Sequence, residues 1–244
     1  MLTIRKPSLV KHTPAFNSIE LLVVITVLMV MLAVILPSRL AMIERANRIR
    51  CVSNLRQIAV AVNLYGADFG AYIPFTTATS DWSFLAKPYL DRTGETVYTD
   101  PNSRSPVIVC PSRRVVPPNL QPSYAPHRQI MTVYPESAGP RRFGTISRPC
   151  DVILMADAIQ SAAMPPSDGG WGCYALAFDM PYSWTLNGDP ADANESVPVT
   201  PDVDGDGNNA RYRHDGSANF LFVDGHVSAI YKGNLKQRNV MLNY

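Results

Sequence analysis

Charge is scarce in this 244-residue chain. Asp, Glu, Lys and Arg make up 17% of it and nearly cancel, leaving a net charge of +2. The basic residues are scattered rather than gathered into a stripe that tracks phosphates, which argues against a nucleic-acid partner. Cysteine is sparse too: Cys51, Cys110, Cys150 and Cys173 lack the tight C-x-x-C spacing of a zinc site. Catalytic signatures are missing. There is no G-x-S-x-G elbow, P-loop, dinucleotide fingerprint or H-x-x-x-H helix spacing. His214, Asp224, His226 and Asp157 offer the ligand types of a hydrolytic metal site, but His226 stands beside a hairpin turn and Asp157 reads as the cap of a strand end. The chain is therefore not expected to be an enzyme. Acids are absent altogether from residues 1–15, which carry Arg5, Lys6 and Lys11.

What is plentiful is proline, with 21 residues against 14 glycines. Neither sits comfortably inside helices or central strands, so a loop-rich domain is expected. The length accommodates one modest globular domain plus an extra element. That element is visible from Leu21 to Leu36 as LLVVITVLMVMLAVIL, interrupted by nothing more polar than Thr26. With Phe16–Glu20 it makes a stretch of about 20 residues, roughly what a helix needs to cross the hydrocarbon core of a bilayer. The basic flank before it places the N-terminus on the cytoplasmic side.

Three plainer accounts fit less well. A cleaved signal peptide has a shorter apolar core followed by small residues, whereas this run ends in Pro37-Ser38-Arg39-Leu40. A buried core helix that is apolar on every side belongs to a large protein, and this chain has room for only one modest domain. A simple signal anchor explains the hydrophobicity and orientation but has no use for Glu20, a carboxylate that costs a few kcal/mol at the edge of an apolar span unless paired or protonated.

Ala15-Phe16-Asn17-Ser18-Ile19-Glu20 followed by an apolar helix resembles the processing site of type IV prepilins and type II secretion pseudopilins. The resemblance implies cleavage between Ala15 and Phe16 by a prepilin peptidase, methylation of the new N-terminus by the same enzyme, and a role for Glu20 in subunit assembly. There it would neutralise the terminal amine of a neighbouring subunit, since buried opposite charges tolerate a low dielectric only as a pair. This chain has Ala15 where the family usually has Gly, and Asn17-Ser18 where Thr-Leu is usual. Pro37 falls where pilins commonly carry a kink-inducing proline.

Beyond the run, apolar residues recur at Ile49, Val52, Leu55, Ile58, Val62, Tyr65 and Phe69, steps that mark one helical face from Arg39 to Asp68. Glu44, Arg45, Arg48, Arg56 and Gln57 are compatible with the other face. Gly66, Gly70 and Pro74 mark the end. Helical from Phe16 to Asp68, the segment would run for about 80 Å at 1.5 Å per residue.

Residues 45–74, RANRIRCVSNLRQIAVAVNLYGADFGAYIP, resemble the large bacterial prepilin family whose C-terminal signature is His, nine residues, then Asp-Gly. His214 and Asp224-Gly225 match that signature, and Cys110-Pro111-Ser112 also resembles the family. Asp224-Gly225 between two apolar stretches is a hairpin signal. A two-residue turn would pair Phe222 with Val227, Phe220 with Ala229 and Val223 with His226. His214 is expected to fix the segment entering the hairpin.

Asp202, Asp204 and Asp206, in Asp202-Val203-Asp204-Gly205-Asp206-Gly207, stand at the alternating positions of a calcium loop, and some pseudopilins similar to this chain bind Ca²⁺ in a C-terminal loop. The bidentate Glu of an EF-hand would fall at Arg213, so Ca²⁺ binding and an acidic solvated turn both remain open. Export makes disulfides expected. Four cysteines allow three full pairings; Cys51–Cys110 would tie the helix to the domain, and Cys150–Cys173 would close a Gly-rich loop. Trp82, Trp171 and Trp184 lie in loop-like surroundings, and residues 75–105 and 160–205 read as variable loops.

The expected fold is α+β and pilin-like: a long N-terminal transmembrane helix packed on an antiparallel sheet with Pro-rich loops. The segments are a basic leader (1–15), a transmembrane or fibre-core helix (16–36), its amphipathic extension (37–70) and an extracytoplasmic β-rich domain (71–244). The resemblance implies a single-pass protein of the bacterial inner membrane that passes into a pilus or pseudopilus. Its partners would be the peptidase/methyltransferase, other pilin-like subunits, the inner-membrane assembly platform and membrane lipid. The alternative is a membrane-anchored extracytoplasmic binding protein that does not polymerise.

Overall fold

A computed structural model describes residues 17–75, 82–91, 104–113, 122–127, 129–131, 140–158, 193–197 and 210–242. The fold is α+β: the described residues form a long N-terminal helix, a short second helix and one four-stranded antiparallel sheet. Helix α1 spans Ser18–Asp68 and runs through Pro37. The chain divides into two compact units, Met1–Ile43 and Glu44–Tyr244.

In the first unit, Ser18–Ile35 has a mean hydropathy of 2.8 and no buried residue, and it is long and apolar enough to cross a membrane. The one polar residue between Leu21 and Ile35 is satisfied internally, because the Thr26 hydroxyl donates to the carbonyl of Val23 at 2.8 Å. A hydroxyl in an apolar span costs little when it bonds back to its own helix. At the N-terminus, the Glu20 carboxylate accepts from the Asn17 amide at 3.2 Å, taking up a donor that α1 leaves free.

In the second unit, the remainder of α1 packs one face into the core. Cys51, Leu55, Ile58, Ala59, Val62 and Tyr65 are buried. The steps of three and four are those of a single helical face. Ile49 and Phe69, assigned to that face from their spacing, are exposed at its two ends, and Phe69 instead stacks on Tyr65 at 4.4 Å. The helix stops where Gly70 takes φ +63 and the Ala71 amide donates to the carbonyl of Gly66 at 2.7 Å. This left-handed closure uses carbonyls that the helix end leaves unpaired.

Helix α2 (Trp82–Asp91) lies within the region read as variable loop, and Trp82, assigned loop-like surroundings, is a buried core residue at its start. The sheet comprises β1 (Tyr124–Pro126), β2 (Ile153–Asp157), β3 (Ser217–Phe222) and β4 (Val227–Tyr231), in spatial order β1-β2-β3-β4. Pro126, which lacks a backbone donor, sits in an edge strand, where that lack is tolerated. Alternate β3 side chains enter two apolar clusters. Leu221 joins the α1 residues, Leu154 and Met155, whereas Ala218, Phe220 and Phe222 meet Ile153, Leu235 and Val240. All six residues of β3 are buried because both faces of the sheet are covered.

The β3–β4 hairpin forms one residue out of the expected register: Leu221 pairs with Val227, Phe220 with Ser228 and Asn219 with Ala229. The Gly225 amide donates to the Phe222 carbonyl and the Phe222 amide to the His226 carbonyl, both at 2.9 Å. Val223-Asp224-Gly225 is therefore a three-residue loop, with Gly225 at φ +92 in the left-handed position that glycine adopts without strain. The extra loop residue accounts for the shift. Val223, expected opposite His226, lies in the turn, and its amide donates to the Val152 carbonyl at 3.0 Å.

His127 follows β1 and is buried; its Nδ1 accepts from the Gln129 amide at 3.2 Å and its Nε2 donates to the Val240 carbonyl at 2.9 Å. Burial lowers its pKa to about 4, with the Arg141 charge pushing the same way and the Val240 carbonyl opposing. Protonation would put a second hydrogen on Nδ1, facing an amide that also donates. The unfolded chain takes up this proton near pH 6.5 and the folded chain near pH 4, so stability should fall across that window by about 3 kcal/mol, at 1.36 kcal/mol per pKa unit. Urea unfolding midpoints between pH 7 and pH 4, compared with those of His127→Gln, should show a steeper acid decline in the native sequence.

Candidate functional site

The sheet face turned toward α1 carries polar residues at its centre. Asn219 and Ser217 share the alternation of Leu221, and β2 ends on Asp157. Asp157 is fully buried, and one carboxylate oxygen, Oδ2, accepts from the Asn219 backbone amide at 2.9 Å and from its side-chain amide at 3.1 Å. The other oxygen, Oδ1, is buried with no hydrogen-bond partner among the described residues.

His214 lies over this carboxylate. Its backbone exchanges two hydrogen bonds with Ser217, at 3.0 and 2.9 Å, and so anchors the residue at the entry to β3. Its ring is fully buried and reaches in two directions. Nδ1 donates to Glu44 Oε1 of α1 at 2.9 Å, while Nε2 lies 3.5 Å from Asp157 Oδ2 and 3.6 Å from Cys110 Sγ. Burial by itself pushes the imidazole pKa down, but Asp157 and Glu44 outweigh it and raise the pKa above the ordinary value. Glu44 is further held by the Ser112 hydroxyl, at 3.0 and 3.2 Å. Neighbouring Tyr124, pushed well above its ordinary pKa by burial and by the Asp157 charge, stays neutral.

Cys51 on α1 and Cys110 form a disulfide beside His214, with Cα atoms 5.3 Å apart. The centre thus joins Glu44 and Cys51 of α1, Cys110 and Ser112 of the following loop, Asp157 of β2 and His214 before β3. The order of the Asp-Gly pair also has a geometric basis. The Asp224 carboxylate accepts from the His226 amide at 3.0 Å and lies 2.7 Å from His226 Nδ1, and a side chain at Gly225 would bring its Cβ to 3.8 Å from Ala59 of α1.

Of the four residues offering hydrolytic ligands, the structure brings His214 and Asp157 together, whereas Asp224 and His226 pair with each other at the exposed hairpin turn. Glu20 stands exposed in the first turn of α1. Cys150 is an exposed free thiol. Ala15, Phe16, Cys173 and the candidate calcium ligands Asp202, Asp204 and Asp206 lie outside the described residues.

Glu44, whose polarity is compatible with the face away from the domain, instead turns toward it. It precedes Cys51 by seven residues, two helical turns, which places it on the Cys51-Leu55-Ile58 face; that spacing was the available signal. Asn219 carried no such signal, since its role depends on β2 lying alongside β3. No protein-family model, curated protein or solved structure matches the chain.

Proposed function

We propose that this protein is a prepilin-like structural subunit, cut between Ala15 and Phe16 by a prepilin peptidase and assembled through α1 into a type IV pilus-like or type II secretion-like fibre. The observation that carries this reading is Glu20, a carboxylate in the first turn of an exposed apolar helix and four residues beyond Phe16. An apolar helix with no polar face is suited to lipid before assembly and to packing against copies of itself afterwards. The amine freed at Phe16 would then find its counter-charge in the Glu20 of a neighbouring copy. The centre around His214 serves this function as scaffold, holding the domain on α1, and no catalysis is assigned to it. The assembly platform of the inner membrane, the peptidase/methyltransferase and other pilin-like subunits are the proposed partners.

A second reading, a single-pass anchor carrying a non-polymerising extracytoplasmic binding domain, draws on one contact. Glu20 already accepts from the Asn17 amide and needs no neighbour to be hydrogen-bonded. Mass spectrometry of the mature N-terminus, from membranes of cells that express the full chain with its peptidase, distinguishes the two. N-methylated Phe16 is the expected first residue, and formaldehyde treatment of the cells should give ladders of cross-linked multimers. A chain that keeps its leader and gives no ladder would leave the anchor.

A further inference from the structure

The buried centre has the composition of a metal site in which two ligands are tied up as a disulfide. One ligand atom from each of Cys51, Cys110, Asp157 and His214 can be chosen so that all four lie within 4.8 Å of one another, and all four residues are buried. We propose that, while Cys51 and Cys110 are thiols, this cluster binds one Zn²⁺ through two sulfurs, His214 Nε2 and a carboxylate oxygen of Asp157. The proposal stands whether or not the chain polymerises.

Three observations converge on it. First, two thiolates, an imidazole and a carboxylate are the donor types zinc takes in four-coordinate sites. Second, His214 is already oriented as a ligand: Nδ1 donates to Glu44 at 2.9 Å, which leaves Nε2 directed at Cys110 and Asp157. A carboxylate behind a histidine in this way fixes its tautomer and raises its basicity toward a metal. Third, Asp157 Oδ1 is buried with no hydrogen-bond partner among the described residues, while Oδ2 takes both Asn219 bonds. A buried carboxylate oxygen left unpaired is costly unless something positive meets it.

The chemistry balances simply. Reduction of the Cys51–Cys110 bond by a dithiol takes two electrons and two protons and yields two thiols, the dithiol becoming a disulfide. Zn²⁺ then displaces the two thiol protons and any proton on His214 Nε2, and binds the sulfurs as thiolates. Disulfide sulfurs carry no such charge, so the oxidised centre and the metal centre exclude each other. In the oxidised state the S–S bond joins α1 to the segment carrying Cys110. In the thiol state the metal would make that join and extend it to β2 and to the residue before β3.

Cobalt reads the site out directly. The full chain carrying Cys150→Ser and Cys173→Ser would be purified in detergent with a phosphine reductant present throughout, freed of reductant without air, and titrated with Co²⁺. The expected result is one Co²⁺ per chain with a sulfur-to-cobalt charge-transfer band and intense visible bands of tetrahedral cobalt, both abolished by an equivalent of Zn²⁺. The air-oxidised chain should show neither. Glu44→Gln, which touches no proposed ligand atom, should keep the bands and weaken binding by about 10-fold to 100-fold. His214→Ala and Asp157→Asn should each alter the visible bands where circular dichroism shows the chain folded. A reduced, folded chain with no charge-transfer band overturns the proposal. So does a band that survives Cys51→Ser with Cys110→Ser, or affinity and spectrum unchanged by Glu44→Gln.

Discussion

Replacing His214 with alanine should destabilise the second unit by about 3 kcal/mol or more, the range seen when one partner of a buried charged cluster is removed. The ring donates to Glu44 and lies 3.5 Å from Asp157, with no exposed surface of its own. Its loss strips Asp157 of its imidazole neighbour while the carboxylate remains buried under α1. Part of the loss should return in the double variant His214→Ala with Asp157→Asn, because an amide tolerates burial without a counter-charge. Urea unfolding of the two single variants and the double closes the cycle, and strong non-additivity is the expected outcome. A cost below about 1 kcal/mol for His214→Ala, the level of an exposed ion pair, would show that the cluster contributes little to the fold.

Removing the Cys51–Cys110 bond should have a comparable effect through the unfolded chain. The cysteines are 59 residues apart in sequence, and closing a loop of that length limits the unfolded chain by about 4 kcal/mol in the chain-entropy account. Cys51→Ala with Cys110→Ala, measured with a chelator present, should lower the urea midpoint by about 2 M if the denaturant slope is near 2 kcal/mol per M. Both side chains are fully buried among apolar residues, so alanine also leaves a small void that adds to the loss. A midpoint lowered by less than about 0.5 M would mean that the unfolded chain already keeps these segments close. The same comparison without chelator, in reduced chain supplied with Zn²⁺, should recover stability only where both cysteines are present.

These effects fall on residues drawn from four separate stretches, and that governs how legible they were. The α1 face could be read from its period, because helix geometry alone puts Cys51, Leu55, Ile58, Val62 and Tyr65 on one side. Where that face begins and ends could not, and Ile49 and Phe69 turned out exposed. Periodicity marks a direction around the helix, while the extent of burial depends on how far the partner surface reaches. Glu44 shows the converse: its spacing from Cys51 puts it on the buried face, but a carboxylate there reads as solvated until its partner His214 is brought to it.

The hairpin divides the same way. Asp224-Gly225 located the turn, since a left-handed backbone position calls for glycine. The register followed instead from the Gly225–Phe222 and Phe222–His226 hydrogen bonds, which absorb a third loop residue. Asp-Gly serves two-residue and three-residue loops alike, and the choice rests with how β3 and β4 pack against α1 and β2.

An apolar helix near the N-terminus with one carboxylate in its first turn, a buried face on its continuation and a hairpin turned at Asp224-Gly225 were all legible from residue order. Those features rest on local periodicity and backbone preference, which act within a few residues. Only the tertiary structure decided that His214 sits between Glu44 and Asp157, 170 and 57 residues away, beside a Cys51–Cys110 bond. Such a cluster depends on strand order and on the seating of α1, and no local signal encodes either.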